Sequence, residues 1–405
     1  MEKDALYGGL LESHKSGPLH GIKALDLSAY IAGPFGCSLL ADLGADVIKI
    51  EPPEGDALRQ YPSTLATESR AFLGINRSKL GMVLDLKQPD GLAALLRLVE
   101  SADVLVHNFR PSVPARLGID YARLSAINPR IIYCALTGYG GSGPLRDKAG
   151  YDQVLQTMTG ICAFQGARRD GEPELVAGSV VDYYAAAMLA MSITAALFQR
   201  ERSGVGQEIG VSLLGSSLAM QAARFVWAEG EPRNVNREMT AGGITGIYPT
   251  RDGSLYVQAS APHFWDALCE LTGLPALAAD ARYNTLRKRA EHAAGLVPII
   301  REALQSRTAV EWEAHFGERV PCAAARHIED MFDHAQVMAQ DFVAVMEHPA
   351  VGRYRALTAP IKFGGTPCAP AFGAPTLGEH SARVLAEHGY SADEIARLRA
   401  IGVIR

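Results

Sequence analysis

Hydrophobic positions in the first third of the chain fall into two alternating textures. Short β-rich runs at 22–27, 46–50, 82–86, 103–106 and 131–136 are separated by stretches with a helical period. Pro34 suits the first turn of a helix that runs on to Gly44, a good helix stop, and 90–101 reads as a second helix. Strand–helix–strand repetition of this kind predicts an α/β fold, a parallel sheet covered by helices. Ligands of such sheets collect at the carboxyl ends of the strands, here at 28–33, 107–110 and 137–143.

Further on, 183–202 reads as one long helix closed by Ser203-Gly204. Its apolar stretch, 183–198, contains Ser192 and Thr194 and is too short to span a bilayer comfortably, so it reads as a buried helix. The texture changes near Phe225, and 229–233 looks like a linker. Residues 228–321 then read as a smaller α+β unit that opens on a hairpin, with 246–250 and 254–258 joined by the turn Arg251-Asp252-Gly253. The last 70 or so residues return to short strands followed by two helices.

Composition narrows the picture. At 405 residues the chain exceeds one typical core, so two domains are expected. A net charge of −5 argues against non-specific nucleic-acid binding, and anionic ligands need local basic clusters. The first 21 positions carry no apolar stretch of the signal-peptide kind. Six cysteines stand far apart with no CxxC pair, and eleven histidines are scattered without ligand spacing. Free buried thiols in a cytoplasmic protein are therefore expected, rather than a disulfide framework or a metal site.

The first candidate for chemistry is Asp182, in Ala177-Gly178-Ser179-Val180-Val181-Asp182 at the start of the long helix. A carboxylate there accepts backbone N–H bonds and feels the positive helix end, which favours the ionised form that a nucleophile needs. A plain helix cap is the alternative. The glycine-rich stretch Gly138-Tyr139-Gly140-Gly141-Ser142-Gly143-Pro144 follows a strand but matches neither a P-loop nor GxGxxG. Basic residues gather near the strand ends: Arg77, Lys79, Lys87, Arg110, Arg116, Arg146 and Lys148. A ligand with several phosphates needs such side chains.

These segments together resemble the family III CoA-transferases. The matching motifs run in family order and cover nearly the whole chain. Among them are Leu43-Gly44-Ala45-Asp46-Val47-Ile48-Lys49-Ile50-Glu51, Asn76-Arg77-Ser78-Lys79, Leu84-Asp85-Leu86-Lys87 and Asp103-Val104-Leu105-Val106-His107-Asn108-Phe109-Arg110-Pro111. Gly150-Tyr151-Asp152, Ser203-Gly204-Val205-Gly206-Gln207, Glu347-His348-Pro349 and Leu377-Gly378-Glu379-His380 follow. The resemblance implies a Rossmann-like large domain built from both chain ends, 1–225 and 331–405, with a small α+β domain, 226–330, inserted between them. It implies a homodimer of interlocked subunits. It also implies that Asp182 is the nucleophile, because the family's catalytic aspartate lies at the start of the helix ahead of the S-G-x-G-Q turn.

The family's CoA contacts carry over to Ile31, Ala32, Leu84, Asp85, Leu86, Lys87, Asn108, Phe109, Arg110, Arg116, Lys148 and Tyr151. The chain departs from the pattern at Pro52, where some members have an arginine, and its glycine-rich lid is shortened to Ala241-Gly242-Gly243. The implied reaction moves CoA from an acyl-CoA, such as succinyl-CoA or another short dicarboxylyl-CoA, to an acceptor acid through an aspartyl-CoA thioester. It takes no metal or redox cofactor, no nucleic acid and no membrane. Arg59, Arg224 and Arg237 are candidates to hold a distal carboxylate. The related α-methylacyl-CoA racemases are the alternative, but they carry Gly-His-Asp where this chain has Gly150-Tyr151-Asp152, so one of two bases is lacking. A non-catalytic CoA-binding subunit is a second alternative, against which Asp182 speaks.

Overall fold

The β-rich runs form a six-stranded sheet in which every neighbouring pair is parallel: β1 (Lys23–Asp26), β2 (Asp46–Glu51), β3 (Lys79–Val83), β4 (Val104–His107), β5 (Ile132–Thr137) and β6 (Gln207–Ser212). The computed structural model describes residues 16–165, 173–232, 244–368 and 371–405. Arg237 and the Ala241-Gly242-Gly243 segment lie outside them. The strand order is β3-β2-β1-β4-β5-β6, that of a doubly wound nucleotide-binding sheet, and it reverses direction between β1 and β4.

Both faces of the strands are apolar, as a parallel sheet covered on two sides requires. Ala24, Val47, Val104, Val106, Ile132 and Cys134 face one core, which is closed by α1 (Ala32–Asp42) and a long helix described below. Leu25, Ile50, Leu105 and Tyr133 face the other. That side is covered by α2 (Pro89–Val99) and by the C-terminal helices Ser381–Glu387 and Ala392–Ala400.

Two strands differ from the sequence reading. β3 begins at Lys79, three residues ahead of the expected run, because the Lys79 ammonium is buried with partners and so tolerates a strand interior. Leu84 to Lys87 instead leave the sheet, turned by Asp85, whose carboxylate accepts the Lys87 N–H at 3.0 Å. β6 was not expected at all. It is an edge strand, mostly exposed, with Gly210 in its middle, and its pattern lacks a clean alternation.

The long helix, α4 (Val180–Ser203), follows α3 (Asp152–Met158) and starts three residues earlier than its apolar pattern suggests. It has 24 residues, about 36 Å at the α-helical rise, so by length and composition it reaches across a bilayer, contrary to the sequence reading. One face, including Val181, Ala185, Leu189, Ile193 and Leu197, is nonetheless buried in the sheet's core. A Cβ on Gly36 of α1 would lie 2.8 Å from Leu189 Cδ2 and 3.0 Å from Ala186 O, so only glycine lets α1 and α4 approach this closely.

The chain divides into two compact units, residues up to Val226 with Gln336–Arg405, and Trp227–Ala335. The first also contains an antiparallel hairpin whose strands are Val343–His348 and Gly352–Leu357. In the second, the hairpin read from the sequence forms as Gly246–Pro249 against Ser254–Val257, and Cys322–Ala324 adds a third strand. Trp265, Trp312 and Phe316 are buried in that unit's own core.

Under the carboxyl ends of β1, β2 and β3 lies a fully buried ionic network. Lys79 donates to Asp26 at 2.9 Å, Asn76 Oδ1 at 2.8 Å and the Pro34 carbonyl at 2.7 Å, which satisfies all three of its N–H groups. Lys49 donates to the Ser28 carbonyl at 2.6 Å and to Asp56 at 2.8 Å. Burial would raise the Asp26 pKa, but Lys79, Lys49 and the Ser28 hydroxyl hold it below the ordinary carboxylate value. Removing one member of a buried pair leaves the other uncompensated, at a cost of about 3–5 kcal/mol. Lys79→Ala is therefore expected to lower the unfolding free energy by that amount in urea titration. A loss below about 1 kcal/mol, the scale of an exposed pair, would contradict the assignment.

Candidate active site

Three loops at the carboxyl end of the sheet converge where the strand order reverses. The first, 27–31 after β1, is held from two sides. Asn108, just past β4, accepts the Ala29 N–H at 3.0 Å and donates to the Ala29 carbonyl at 2.7 Å. Asp56 accepts the Tyr30 N–H at 3.2 Å. Tyr30 itself sits at φ 65°, a left-handed conformation that a bulky residue adopts only when its surroundings impose it.

Beside this loop a cavity of about 280 Å³ opens at the ends of β1, β2 and β3. Leu27, Ile50, Leu84, Leu86, Phe109 and Leu117 supply apolar walls, and Ser28, Glu54, Asp85 and Lys87 add polar groups. The structure thus brings together Leu84, Asp85, Leu86, Lys87 and Phe109 in one wall. Ile31 precedes α1 and Ala32 opens it, immediately after the clamped loop. Arg110, Arg116 and Lys148 are exposed and line no part of this cavity. Tyr151 is half-exposed, with its ring packed edge-on against Tyr30 at 5.9 Å.

Of the other basic candidates, two are spent on structure. Arg77 is fully buried against Asp42, and Lys79 belongs to the network above. Arg59 is not available for a substrate carboxylate either. Its guanidinium bonds both Glu51 oxygens at 2.8 Å, Glu68 at 2.6 Å and the Pro375 carbonyl at 3.1 Å. Arg224 is exposed.

The third loop brings up the carboxylates. Gly138, after β5, meets Gly150 backbone to backbone. A Cβ on Gly138 would stand 2.8 Å from Gly150 Cα, and one on Gly150 would stand 2.6 Å from Gly138 Cα. Glycine at both positions lets the Gly138-Tyr139-Gly140 turn dock on Gly150-Tyr151-Asp152 and sets Asp152 at the start of α3. Asp152 is buried, and one oxygen accepts the N–H groups of Val181 and Asp182 at 2.6 and 2.9 Å. The other accepts Gln156 Nε2 at 2.5 Å. Gln156 also accepts the Val176 N–H at 3.0 Å and so ties the approach to α4 to the same carboxylate.

This overturns the local electrostatic reading of Asp182. It lies in the first turn of α4 but caps nothing, since the N–H groups there are taken by Asp152 and Ser179 makes no side-chain cap. Among the described residues the Asp182 carboxylate accepts no hydrogen bond. Its pKa is raised to about 7, by burial first and by the Asp152 charge second, where helix-end effects alone would have lowered it. A half-buried carboxylate that accepts no hydrogen bond from the described residues and has a raised proton affinity suits a nucleophile or a proton carrier. Gln156, Asp56 and Lys49 escaped the sequence reading. The signal for Lys49 was a charged residue inside an otherwise apolar strand.

Comparison with known proteins follows the same line. The profile of CoA-transferase family III matches residues 19–381. The succinyl-CoA:glutarate CoA-transferase of Mus musculus is 33% identical over 96% of this chain and 90% of its own length. The succinate–glutarate CoA-transferase of Agrobacterium fabrum is 34% identical over 91% and 95%. The crystal structure of a CaiB/BaiF family protein from Brucella suis superposes with a TM-score of 0.81 at 30% identity, covering 92% of this chain and all of that one.

The Asp152–Asp182 geometry makes a direct prediction. With Asp152→Asn the nearby negative charge is gone, so Asp182 should titrate below about 7 when its carboxyl carbon is followed by NMR across pH. An unchanged or higher midpoint would show that Asp152 does not set it.

Proposed function

The chain belongs to CoA-transferase family III, and from that premise we propose that Asp182 carries the transfer as a covalent nucleophile. The observation that supports this most is its carboxylate at the first turn of α4, which accepts no hydrogen bond from the described residues because Asp152 has taken the helix N–H groups. On this reading the ionised Asp182 attacks the donor thioester carbonyl, forming a mixed anhydride and releasing the CoA thiolate. The thiolate then attacks the aspartyl carbonyl, giving an aspartyl-CoA thioester and the free donor acid. The acceptor carboxylate repeats both steps in reverse order. Each step exchanges bonds of similar energy, which is the advantage of a covalent route. No metal or redox cofactor enters it.

The cavity at the ends of β1, β2 and β3 is proposed to take the nucleotide end of CoA, with Ile31, Ala32 and the clamped loop leading toward Tyr151 and Asp182. For the acids we propose succinyl-CoA or another short dicarboxylyl-CoA as donor, a reading supported by the names of the Mus musculus and Agrobacterium fabrum relatives. A homodimer is also proposed. Tyr183, Met191 and Phe198 on α4 and Phe225 and Val226 beyond it are large apolar side chains left 44–69% exposed, more than a solvated helix face normally carries.

Incubation with succinyl-CoA and hydroxylamine should inactivate the enzyme and leave a hydroxamate on the peptide that contains Asp182. An adduct on another residue would refute the assignment. Asp182→Ala should lower kcat by roughly 10⁴-fold or more while CoA binding persists. In heavy water a 2-methylacyl-CoA should acquire no deuterium at its α-carbon, because transfer chemistry stays at the carbonyl. Rapid α-deuteration without CoA exchange would instead favour the racemase reaction.

A further inference from the structure

The cavity at the ends of β1, β2 and β3 has a charge distribution that transfer chemistry alone does not call for. In a doubly wound sheet of this order, side chains just past β2 meet the ribose of a bound nucleotide. A carboxylate there bonds sugar hydroxyls, whereas an arginine there accommodates a phosphate on the sugar. CoA carries such a phosphate on its ribose, and dephospho-CoA carries a hydroxyl in its place.

Past β2 the chain runs Pro52-Pro53-Glu54-Gly55-Asp56-Ala57, every residue of which lines the cavity, and none is cationic. The next arginine, Arg59, has its guanidinium committed to Glu51, Glu68 and a carbonyl. Lys49, within β2, is committed to Ser28 and Asp56. Lys87, on the far wall, is the single cation among the lining residues.

The carboxylates divide differently. Glu51 is held by Arg59 and the Asp56 N–H, Asp56 by Lys49 and two backbone N–H groups, and Asp85 by Lys87 N–H and Gln88. Glu54 alone is exposed and has no partner among the described residues. A free carboxylate at this place accepts hydroxyl hydrogens and repels a phosphate dianion.

Resting on the reading of the chain as a CoA-transferase, we propose that this cavity receives an unphosphorylated ribose as readily as a phosphorylated one. Glu54 is the residue that sets this preference, and thioesters of dephospho-CoA are substrates alongside those of CoA.

The test compares kcat/KM for succinyl-CoA and succinyl-dephospho-CoA with one acceptor acid. The two values are expected to agree within about tenfold, and a larger loss without the phosphate overturns the proposal. Glu54→Arg should shift the ratio by about tenfold or more toward the phosphorylated thioester. A ratio that stays put removes Glu54 from the account. Calorimetric binding of CoA and dephospho-CoA reads the same preference without turnover. Equal binding with no transfer from either thioester would refute the transfer reading, and with it the claim that these thioesters are substrates, while the cavity's acceptance of both riboses would stand. Transfer from succinyl-CoA alone would do the reverse.

Discussion

The Asp152 carboxylate, closing the first turn of α4 from a different helix, is the contact on which the site depends. A helix start leaves four backbone N–H groups without partners, and a nearby side chain usually takes them. Here Asp152 accepts those of Val181 and Asp182, and Gln156 holds Asp152 in turn. The consequence is a division of labour between two aspartates. One spends its oxygens on the backbone and fixes α4 against α3. The other accepts no hydrogen bond from the described residues and, through burial first and the like charge second, holds its proton up to about neutral pH. Had Asp182 capped its own helix, its lone pairs would have been occupied and its pKa lowered.

A second constraint acts on the cavity at the ends of β1, β2 and β3. Its floor is the loop after β1, and that loop is fixed by charges buried beneath it: Lys79 under Asp26 and Pro34, Lys49 between Ser28 and Asp56. Buried ion pairs contribute little net stability compared with apolar packing, but they fail badly when half removed. Here they give the loop a single position, to the point of holding Tyr30 in a left-handed conformation. Asn108 extends the same rigidity across the reversal point of the sheet. The proposed binding cavity and the proposed nucleophile therefore rest on separate supports, one under β1 and one between α3 and α4.

Much of the fold was legible in the chain because parallel strands buried on both faces read as apolar runs, and five of the six did. β6 did not, since an edge strand with Gly210 inside it has neither a run nor an alternation to detect. Asp182 was legible as a residue but not in its electrostatics. Local reasoning sees a helix start, whereas its proton affinity is raised first by burial in the folded chain and then by a carboxylate thirty residues earlier. The charged residues show the same blindness. Arg77, Lys79 and Arg59 look like ligand-binding cations in sequence, and only the fold brings Asp42, Asp26, Glu51 and Glu68 to them. Gly138 stands out only as part of a glycine-rich stretch and Gly150 only as part of a family motif, and their contact across the loop exists only in three dimensions.

The central claim is that a carboxylate oxygen of the acceptor passes through Asp182. If the acceptor attacks an aspartyl-CoA thioester, the bridging oxygen of the resulting anhydride comes from the acceptor, and it stays on the aspartate when the thiolate departs with the acyl group. The most direct measurement is turnover with an ¹⁸O-labelled dicarboxylic acid followed by peptide mass mapping. The account predicts label in the peptide bearing Asp182 and in no other. Efficient transfer with no label on the protein would contradict it.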